Sequence, residues 1–534
     1  MRQQGAGTAL FPRIVLAWTL ITGLSIAVWA QNLQAGAAAN KITPSKTVYL
    51  AGYSPNRPNR GGVHDDIWVR ALVLQVGQER LAIAVCDLLG LLRDDVQKIR
   101  QRVRAVLPNR VIVASTHVHS APDTIGLWGP QPTVSGRDEE YVNFVIETVA
   151  RTIEEAASKL QPATIGFGKT RVEGISYNYR VKEILDPEAA VLQVRSKGDN
   201  KPIATLTNFA CHPEVLNNDQ LTADFPNWFY RTVEANGGGV AIFVNGALGG
   251  MVSPAEDPNY QGEKGKDWAR AERMGTLLAQ KTLEVVNTMR FSENVAFEHR
   301  SQTFSVPLEN EQFKQALAIG VIPKGESLQN DMLTTEAHLF RIGNAVFFTM
   351  PGEVLPNIGF LLKKYLSAYG DPVFLIGLGN DELGYILCEE DYWLDLYRYE
   401  RSMSVGSQIG EKLVATAKQL SEGWTPIDRG ASSVDAELQK YIQRFRPERA
   451  GALKATYRFL LEGAGEYYLR IAEGKATLSK EGNPSEAQVT IRVPAQVFVD
   501  IITGKRNALD AYNTGELQVE GDIGLAQYLL YVFE

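Results

Sequence analysis

The sequence predicts an α/β protein: a large layered domain with a mixed β-sheet, followed by a small α+β domain. Between residues 68 and 420, short apolar runs alternate with segments whose apolar residues recur at helical spacing. Several of these runs are joined by short turns as hairpins, so the sheet should contain antiparallel as well as parallel pairs. The chain has 534 residues, more than one ordinary domain needs. A polar linker at 426–435 separates a domain over 45–425 from a domain over 436–534.

Most elements of the large domain are predicted from hydrophobic periodicity. The predicted strands are short apolar runs bounded by turn residues, at 69–76, 80–86, 111–113, 163–172, 190–194, 203–210, 240–244, 295–306, 338–348 and 373–378. The predicted helices have apolar residues three or four positions apart, at 94–107, 139–160, 267–289, after Pro356 and at 404–420.

Residues 1–30 have the pattern of a signal peptide for export. Arg2 and Arg13 precede an uncharged apolar run, and Ala30 completes a small-x-small cleavage motif before Gln31. We expect cleavage there, which makes the protein periplasmic or secreted. The alternative is an uncleaved segment that anchors the protein in a membrane. The polar, alanine-rich residues 31–44 are predicted to form a linker.

Composition excludes some classes of function. With 54 basic and 61 acidic residues, the net charge is −7, which argues against binding to nucleic acid because that function needs a basic face. Three cysteines, Cys86, Cys211 and Cys388, are too few for a disulfide framework. All three lie in apolar strand-like runs, so we expect buried thiols, with one bridge as the alternative.

The segment RVIVASTHVHSAP, residues 110–122, contains the first candidate site residues. A short apolar strand is followed by His117 and His119, and both rings would point to one face if the extended geometry continued. Two imidazoles on one face can bind a metal, or can pair one ligand with one proton carrier. Two ordinary surface histidines are the alternative, although the chain has only six histidines.

Three further candidates also lie where predicted strands end. His212 follows the run ATLTNFAC, Glu353 follows AVFFTMPG, and Tyr385 follows VFLIGLGNDELG. Strand ends are where layered α/β domains place their chemistry. Two histidines and one carboxylate, with a position left for water, are typical of hydrolytic zinc sites. Taken singly, Glu353 is also explained as a helix N-terminal residue and Tyr385 as a core residue.

Together these segments resemble the neutral/alkaline non-lysosomal ceramidase family, over about residues 45–425. The family's HxHSxP segment is matched by 117–122, its N-[WF]-x-x-H segment by 208–212, its Pro-Gly-Glu by 351–353, and its tyrosine segment by 380–386.

This resemblance implies a zinc ion held by four residues, His117, His212, Glu353 and Tyr385. It also implies that His119 lies beside the metal-bound water. In that position His119 could carry a proton to the leaving amine. Tyr385 would stabilise the oxyanion in addition to, or instead of, ligating the metal.

The family also has a G-D-V-S-P-N segment whose serine has been assigned a catalytic role. Ser253 stands at the matching position, but Met251 replaces the aspartate and Ala255 replaces the asparagine. The resemblance implies a catalytic Ser253, and the alternative is a turn hydroxyl before a proline. No G-x-S-x-G elbow surrounds this serine, which argues against a serine hydrolase.

The last hundred residues resemble the SCP2 sterol-carrier domain. The matching features are F-x-D-x-x-x-G-K at 498–505, G-x-L-x-[IV]-x-G-D at 515–522, and a terminal amphipathic helix at 522–531. The resemblance implies a five-stranded sheet with helices and an apolar tunnel for a lipid chain, without catalytic residues. In some enzymes such a module serves for substrate docking or dimerisation, so a homodimer through this domain is a further expectation.

The sequence therefore predicts an exported zinc-dependent amidohydrolase that cleaves the amide bond of an N-acyl lipid, with ceramide as the leading candidate. The expected partners are the lipid substrate and, peripherally, a membrane, but no nucleic acid. One alternative is a zinc hydrolase of another amide or of an ester. The other is a catalytically inactive lipid-binding or lipid-transfer protein, against which the retention of all four ligand residues argues.

Overall fold

The computed structural model describes residues 31–254, 267–427 and 430–533. Its contacts divide the chain into two compact units, Met1–Pro426 and Ile427–Glu534. Within the described ranges, no helix combines the length and the apolar character needed to cross a bilayer. The predicted signal peptide, residues 1–30, lies outside the described residues, as does Ala255.

The elements of the first unit follow the predicted alternation. Its strands are β1 (Gln31–Lys41), β2 (Trp68–Val76), β3 (Glu79–Cys86), β4 (Val111–Ser115), β5 (Gln161–Arg171), β6 (Tyr177–Asn178), β7 (Glu188–Ser196), β8 (Pro202–Phe209), β9 (Val240–Asn245), β10 (Met251–Val252), β11 (Phe291–Ser292), β12 (Asn294–Val295), β13 (Phe297–Pro307), β14 (Leu328–Gln329), β15 (Met332–Ile342), β16 (Ala345–Thr349), β17 (Glu353–Val354), β18 (Val373–Ile376) and β19 (Tyr385–Ile386). Its α-helices are α1 (Arg93–Arg102), α2 (Glu139–Ser158), α3 (Phe225–Ala235), α4 (Trp268–Val286), α5 (Glu311–Ala318), α6 (Pro356–Leu366), α7 (Glu389–Tyr392), α8 (Arg398–Ser402) and α9 (Ile409–Ser421).

The larger sheet is mixed. Its main path runs β4-β3-β2-β1-β5-β7-β8-β9, and the short strands β12 and β11 pair with β1 and β5. The pairs at the two ends, β3–β4 and β8–β9, are parallel, whereas the pairs between them are antiparallel. Alternation along β2 separates two cores: Ala71 and Val73 pack with residues of α1 and α2, and Leu72 and Leu74 pack with residues of a second sheet.

That second sheet has the order β13-β15-β16-β18, with β14 paired to β15. Phe340, Phe347 and Phe374 on one face pack against the larger sheet, and α6 and α9 cover the other face. Helices α3 and α4 cover the β7–β9 part of the larger sheet. The unit therefore has four layers in the order helix, sheet, sheet, helix, which confirms the prediction of a layered α/β domain with a mixed sheet.

The predicted linker over 31–44 is wrong for most of its length. Gln31–Lys41 forms β1, which lies inside the larger sheet between β2 and β5. Alanine and glycine have low strand propensity, which explains the wrong prediction. The small residues are needed because helix α2 packs very closely: a Cβ on Gly36 would lie 2.2 Å from the carbonyl oxygen of Ala156.

The second unit has its own sheet and core. Its strands are β20 (Ala455–Glu462), β21 (Gly465–Ala472), β22 (Lys475–Ser479), β23 (Val489–Pro494) and β24 (Gln518–Gly521), and its helices are α10 (Gly430–Ile442), α11 (Pro447–Ala450), α12 (Ala495–Ile502), α13 (Ala508–Asn513) and α14 (Ile523–Phe533). The sheet order is β22-β21-β20-β23-β24, as expected for a small α+β domain. The predicted linker over 426–435 is too long, because α10 begins at Gly430 and buries Val434, Leu438 and Tyr441 in this core.

Candidate metal centre

Strand ends bring the predicted site residues together. His117 follows β4 and His212 follows β8, while Glu353 and Tyr385 open β17 and β19, which follow β16 and β18. Glu353 stands opposite Tyr385, since β17 and β19 pair in parallel. Each of the four residues follows a strand that belongs to a parallel pair, β3–β4, β8–β9 or β16–β18. Each parallel pair therefore carries a candidate residue beyond a carboxyl end, and contacts between the pairs bring these ends together.

Two buried asparagines join the two sheets near these strand ends. The N–H of Asn380 donates to the Val113 carbonyl of β4 at 2.7 Å, and the Asn380 side-chain oxygen accepts from the Val113 N–H at 2.9 Å. The side-chain amide of Asn208 donates to the Leu375 carbonyl of β18 at 2.8 Å, and its side-chain oxygen accepts from the Leu375 N–H at 3.0 Å. The relative position of the sheets, and so of the candidate ligands, is therefore fixed by hydrogen bonds as well as by packing.

The Glu353 carboxylate lies between two oriented imidazoles. Its Oε2 is 2.9 Å from Nε2 of His212 and 3.3 Å from Nε2 of His117. The other ring nitrogens face carbonyl oxygens: Nδ1 of His117 donates to Leu89 at 2.8 Å, and Nδ1 of His212 donates to Met251 at 2.9 Å. Because a carbonyl can only accept, Nε2 of each ring is the nitrogen left for a ligand.

His119 completes a cluster of three buried histidines. Its ring centroid is 4.9 Å from that of His117 and 5.5 Å from that of His212. Neither nitrogen of His119 has a hydrogen-bond partner, although Nδ1 lies 3.5 Å from Oε2 of Glu214. The ring rests directly on Gly52, where an added Cβ would be 2.3 Å from the His119 Cγ.

The electrostatics of the cluster favour a cation beside Glu353. Burial alone would raise the pKa of Glu353, but the neighbouring His117 and His212 lower it. Burial would lower the pKa of His212, but the hydrogen bond to Glu353 raises it to about 9. Burial, together with the charges of the other two histidines, lowers the pKa of His119 well below its ordinary value. A bound metal ion would replace the proton on His212 as the counter-charge of the carboxylate.

The donor set fits a divalent metal ion. Ligand nitrogens of the three histidines all lie within 4.8 Å of one another. Glu353 adds a carboxylate oxygen, and the Tyr385 ring stacks near His212 with centroids 6.4 Å apart. Nitrogen and oxygen donors of this kind suit zinc among several ions. The unpaired nitrogens of His119 are a second indication, because a buried polar atom normally has a partner.

Ser253 lies next to the cluster, and its hydroxyl bonds to the backbone. Oγ donates to the His212 carbonyl at 2.6 Å and accepts from the Glu214 N–H at 3.2 Å. These are the contacts of a turn hydroxyl, which was the alternative, and they hold the turn that carries His212. The catalytic assignment of Ser253 stays a prediction.

Sequence reasoning missed Asn245, which ends β9 and is fully buried. Its amide group donates to the carbonyls of Thr116 and Cys211 at 2.9 and 2.8 Å, and its oxygen accepts from the Cys211 N–H at 3.0 Å. Thr116 and Cys211 immediately precede His117 and His212, so this one side chain ties together the two loops that carry the histidines. A polar residue directly after the apolar run VAIFV was the sequence indication.

An apolar cleft of about 1020 Å³, including its opening to solvent, leads to the cluster. His117, His119, Glu353 and Tyr385 are among its lining residues. Most of the remaining wall is apolar and includes Leu92, Ile125, Trp128, Phe313, Leu317 and Leu383. The arrangement places a polar, metal-competent group of side chains against walls suited to a hydrocarbon chain.

Both parts of the chain match known families. Residues 33–227 match the family described as neutral/alkaline non-lysosomal ceramidase, N-terminal, and residues 438–534 match the SCP-2 sterol transfer family. The neutral ceramidase of Pseudomonas aeruginosa is 29% identical over 139 residues, which are 24% of this chain and 21% of that protein. The peroxisomal multifunctional enzyme A of Dictyostelium discoideum is 38% identical over 61 residues, which are 11% of this chain and 14% of that protein.

Solved structures support the fold of the first unit. The crystal structure of neutral ceramidase from Pseudomonas aeruginosa has a TM-score of 0.61 at 19% identity, covering 74% of this chain and 75% of that chain. A ceramidase complexed with C2 has a TM-score of 0.61 at 17% identity, covering 74% of this chain and 76% of that chain. These matches confirm the resemblances that the motifs predicted: residues 33–227 are similar to the neutral/alkaline non-lysosomal ceramidase family, and residues 438–534 are similar to the SCP-2 sterol transfer family.

Proposed function

We propose that the protein is a zinc-dependent amidohydrolase that cleaves the amide bond of an N-acyl lipid, with ceramide as the leading candidate. The observation that carries the proposal is the convergence of His117, His212, Glu353 and Tyr385 beside an apolar cleft. The polar side chains of this cluster can bind the amide of such a lipid, and the apolar walls of the cleft can contact its acyl chain. The similar proteins are named neutral ceramidase and ceramidase complexed with C2, which supports the same substrate class.

The residues of the cluster have distinct roles in this proposal. When bound, the metal supplies Lewis-acid polarisation of the amide and lowers the pKa of water. His117 and His212 would hold it through Nε2, because their Nδ1 atoms are bonded to carbonyls. Burial raises the pKa of Tyr385 well above its ordinary value, so its hydroxyl can donate a hydrogen bond to the developing oxyanion.

His119 is the proposed proton carrier to the leaving nitrogen. Its ring nitrogens have no other partner, and its lowered pKa keeps the imidazole neutral. The neutral ring can accept the proton that the attacking water loses and donate it to the leaving nitrogen. Ligation of the metal by His119 is the competing role, because its nitrogen lies within range of the other two histidines.

The second unit and the N-terminus extend the proposal. The SCP-2 family match supports lipid binding by residues 438–534. Export is supported by the pattern of residues 1–30 alone. N-terminal sequencing of the protein from its native host tests export: a mature chain that begins at Gln31 is expected, and an intact Met1 would instead favour a retained anchor.

The proposed activity is tested by measuring fatty-acid release from N-acylsphingosine together with metal content on the same sample. Turnover should disappear with a chelator and return with zinc. His117→Ala should lower metal affinity and turnover by on the order of 100-fold, because it removes a ligand. His64→Ala is the matched control, since His64 stacks on Trp268 and has no contact with the cluster.

Each other outcome of this assay selects among the alternatives. One metal ion per chain without release of fatty acid would direct the search to other amides and to esters. A folded protein with neither metal nor turnover would support the lipid-binding alternative. Equal metal content and equal turnover in His117→Ala would remove the metal hypothesis.

A further inference from the structure

Four large side chains are exposed on the segment 393–399, which runs from the end of α7 into α8. Trp393 is 65% exposed, Leu394 49%, Leu396 45% and Tyr399 54%. We refer to these four residues as the exposed patch. Single exposed apolar residues are common on proteins, but a cluster of four within seven positions marks an interaction surface.

The exposed patch is held in place by buried neighbours. Tyr392 and Tyr397 lie on either side of residues 393–396 and pack in a small core with Leu355 and Leu387. The backbone is also bonded: the Leu394 N–H donates to Asp391 and the Tyr397 N–H donates to Leu394, both at 3.1 Å. The Arg401 guanidinium donates to the Tyr392 carbonyl at 2.8 Å. The fold therefore fixes this segment with its apolar side chains outward, instead of leaving it free to fold inward.

The exposed patch is continuous with the cleft. Tyr399 lines the cleft and its ring lies 6.0 Å from that of Tyr385. A hydrocarbon chain that enters the cleft beside Tyr399 would thus pass from one apolar surface to another. Tryptophan and tyrosine are the side chains most enriched at the boundary between lipid and water, because each has an apolar body and a polar group.

We propose that the exposed patch is a membrane-docking surface that inserts into the interfacial layer of a bilayer and holds the cleft at the membrane surface. The choice of a lipid surface over a protein partner rests on the proposed function, since an N-acyl lipid would be taken from a bilayer. Three exposed acidic residues, Glu389, Glu390 and Asp395, and one exposed basic residue, Arg398, lie beside or within the segment that forms the patch. The surface therefore matches a zwitterionic bilayer better than an anionic one, and binding should depend little on salt.

The test is sedimentation of the full-length protein with phosphatidylcholine vesicles, which needs no turnover. The double variant Trp393→Ser, Leu396→Ser should bind on the order of tenfold more weakly than the wild type. Leu107→Ser is the matched control, because Leu107 is 62% exposed and precedes β4, at the opposite end of that strand from His117. Adding phosphatidylserine to the vesicles should not increase binding.

Several results would overturn the proposal. The first is that the wild type does not sediment with the vesicles, and the second is that the double variant binds them as well as the wild type does. The third is a wild-type dimer that the double variant converts to a monomer, which would assign the patch to a second copy of the chain. If the double variant fails to fold, the tryptophan fluorescence of the wild type is measured with vesicles of brominated phosphatidylcholine instead. Quenching of the fluorescence would support insertion of the patch, and no quenching would contradict it. Vesicle binding without fatty-acid release would retain the docking surface and reject the proposed activity.

Discussion

Gly52 determines where the His119 ring can lie. Its φ is +94°, and a Cβ there would meet the His119 ring at 2.3 Å. Gly52→Ala should therefore displace His119 and lower kcat by on the order of tenfold or more, because a proton carrier must be well placed. Metal content should stay near that of the wild type, since His119 is not among the four proposed ligands, and a loss of metal would instead favour ligation by His119.

Gly62→Ala is the control for backbone strain. Gly62 also has positive φ, +80°, but no atom lies within 4 Å of its added Cβ. Steady-state kinetics and metal content on both variants separate the two effects. Equal losses of kcat in the two variants would show that strain, and not the position of His119, is responsible.

At this scale, the residue types of the site were predictable and their geometry was not. Histidines and a carboxylate after apolar strands predicted a metal site from chemistry alone. The extended geometry that would have aligned His117 and His119 does not continue to them, because β4 ends at Ser115 and His117 has a φ of 65°. The rings converge through this left-handed turn instead. Glu214 was not predicted as a neighbour of the site because it approaches His119 only in the folded chain, from a segment distant in sequence.

At the scale of elements, Asn245 connects the loops after β4 and β8. Asn245→Leu should weaken metal binding by about 10- to 100-fold, because the loops before His117 and His212 would lose their shared anchor. Metal affinity by competition with a chromogenic chelator measures this. The control is Gln193→Leu, an equally buried amide on β7 that bonds to Thr205 and Arg195. A loss of stability without a loss of affinity in Asn245→Leu would contradict the positioning role.

The contact between β1 and α2 leads to a prediction on stability. Gly36→Val should lower the free energy of unfolding by about 3 kcal/mol, because backbone atoms of α2 occupy the space that the new side chain needs. Denaturant unfolding measures the change. Gly198→Ala is the control, since its nearest neighbour is a side-chain oxygen at 3.7 Å. An unchanged free energy in Gly36→Val would mean that α2 can move away from β1.

Two of the elements that were not predicted, β1 and α3, were missed for different reasons. For β1, composition argued against a strand, and only the closeness of α2 explains the small residues. For α3 the indications were present: Asp224 caps the helix by accepting from the Phe225 N–H, a proline stands in the first turn, and Phe229 and Val233 are buried at helical spacing. The other long strands of the larger sheet were predictable because their apolar runs are nearly continuous.

At the scale of the whole molecule, every candidate ligand belongs to the first unit. A chain that ends at Pro426 should therefore retain the metal content of the full-length protein, measured on matched samples after dialysis. The complementary control is Leu469→Ala, which opens a cavity in the core of the second unit and should destabilise only that unit. Loss of metal from the shortened chain would show that the site depends on the second unit.

The convergence of strand ends from both sheets has a consequence for the order of events during folding. Residues 117, 212, 353 and 385 can meet only after the sheets have joined through Asn380 and Asn208. Contacts between such distant segments form late, since long loops must close first. Binding of the metal ion at this site would then be among the last steps of folding. A nascent chain still being synthesised, or a misfolded one, would lack the complete ligand set, and the rate of metal uptake would report how quickly the protein completes its folding.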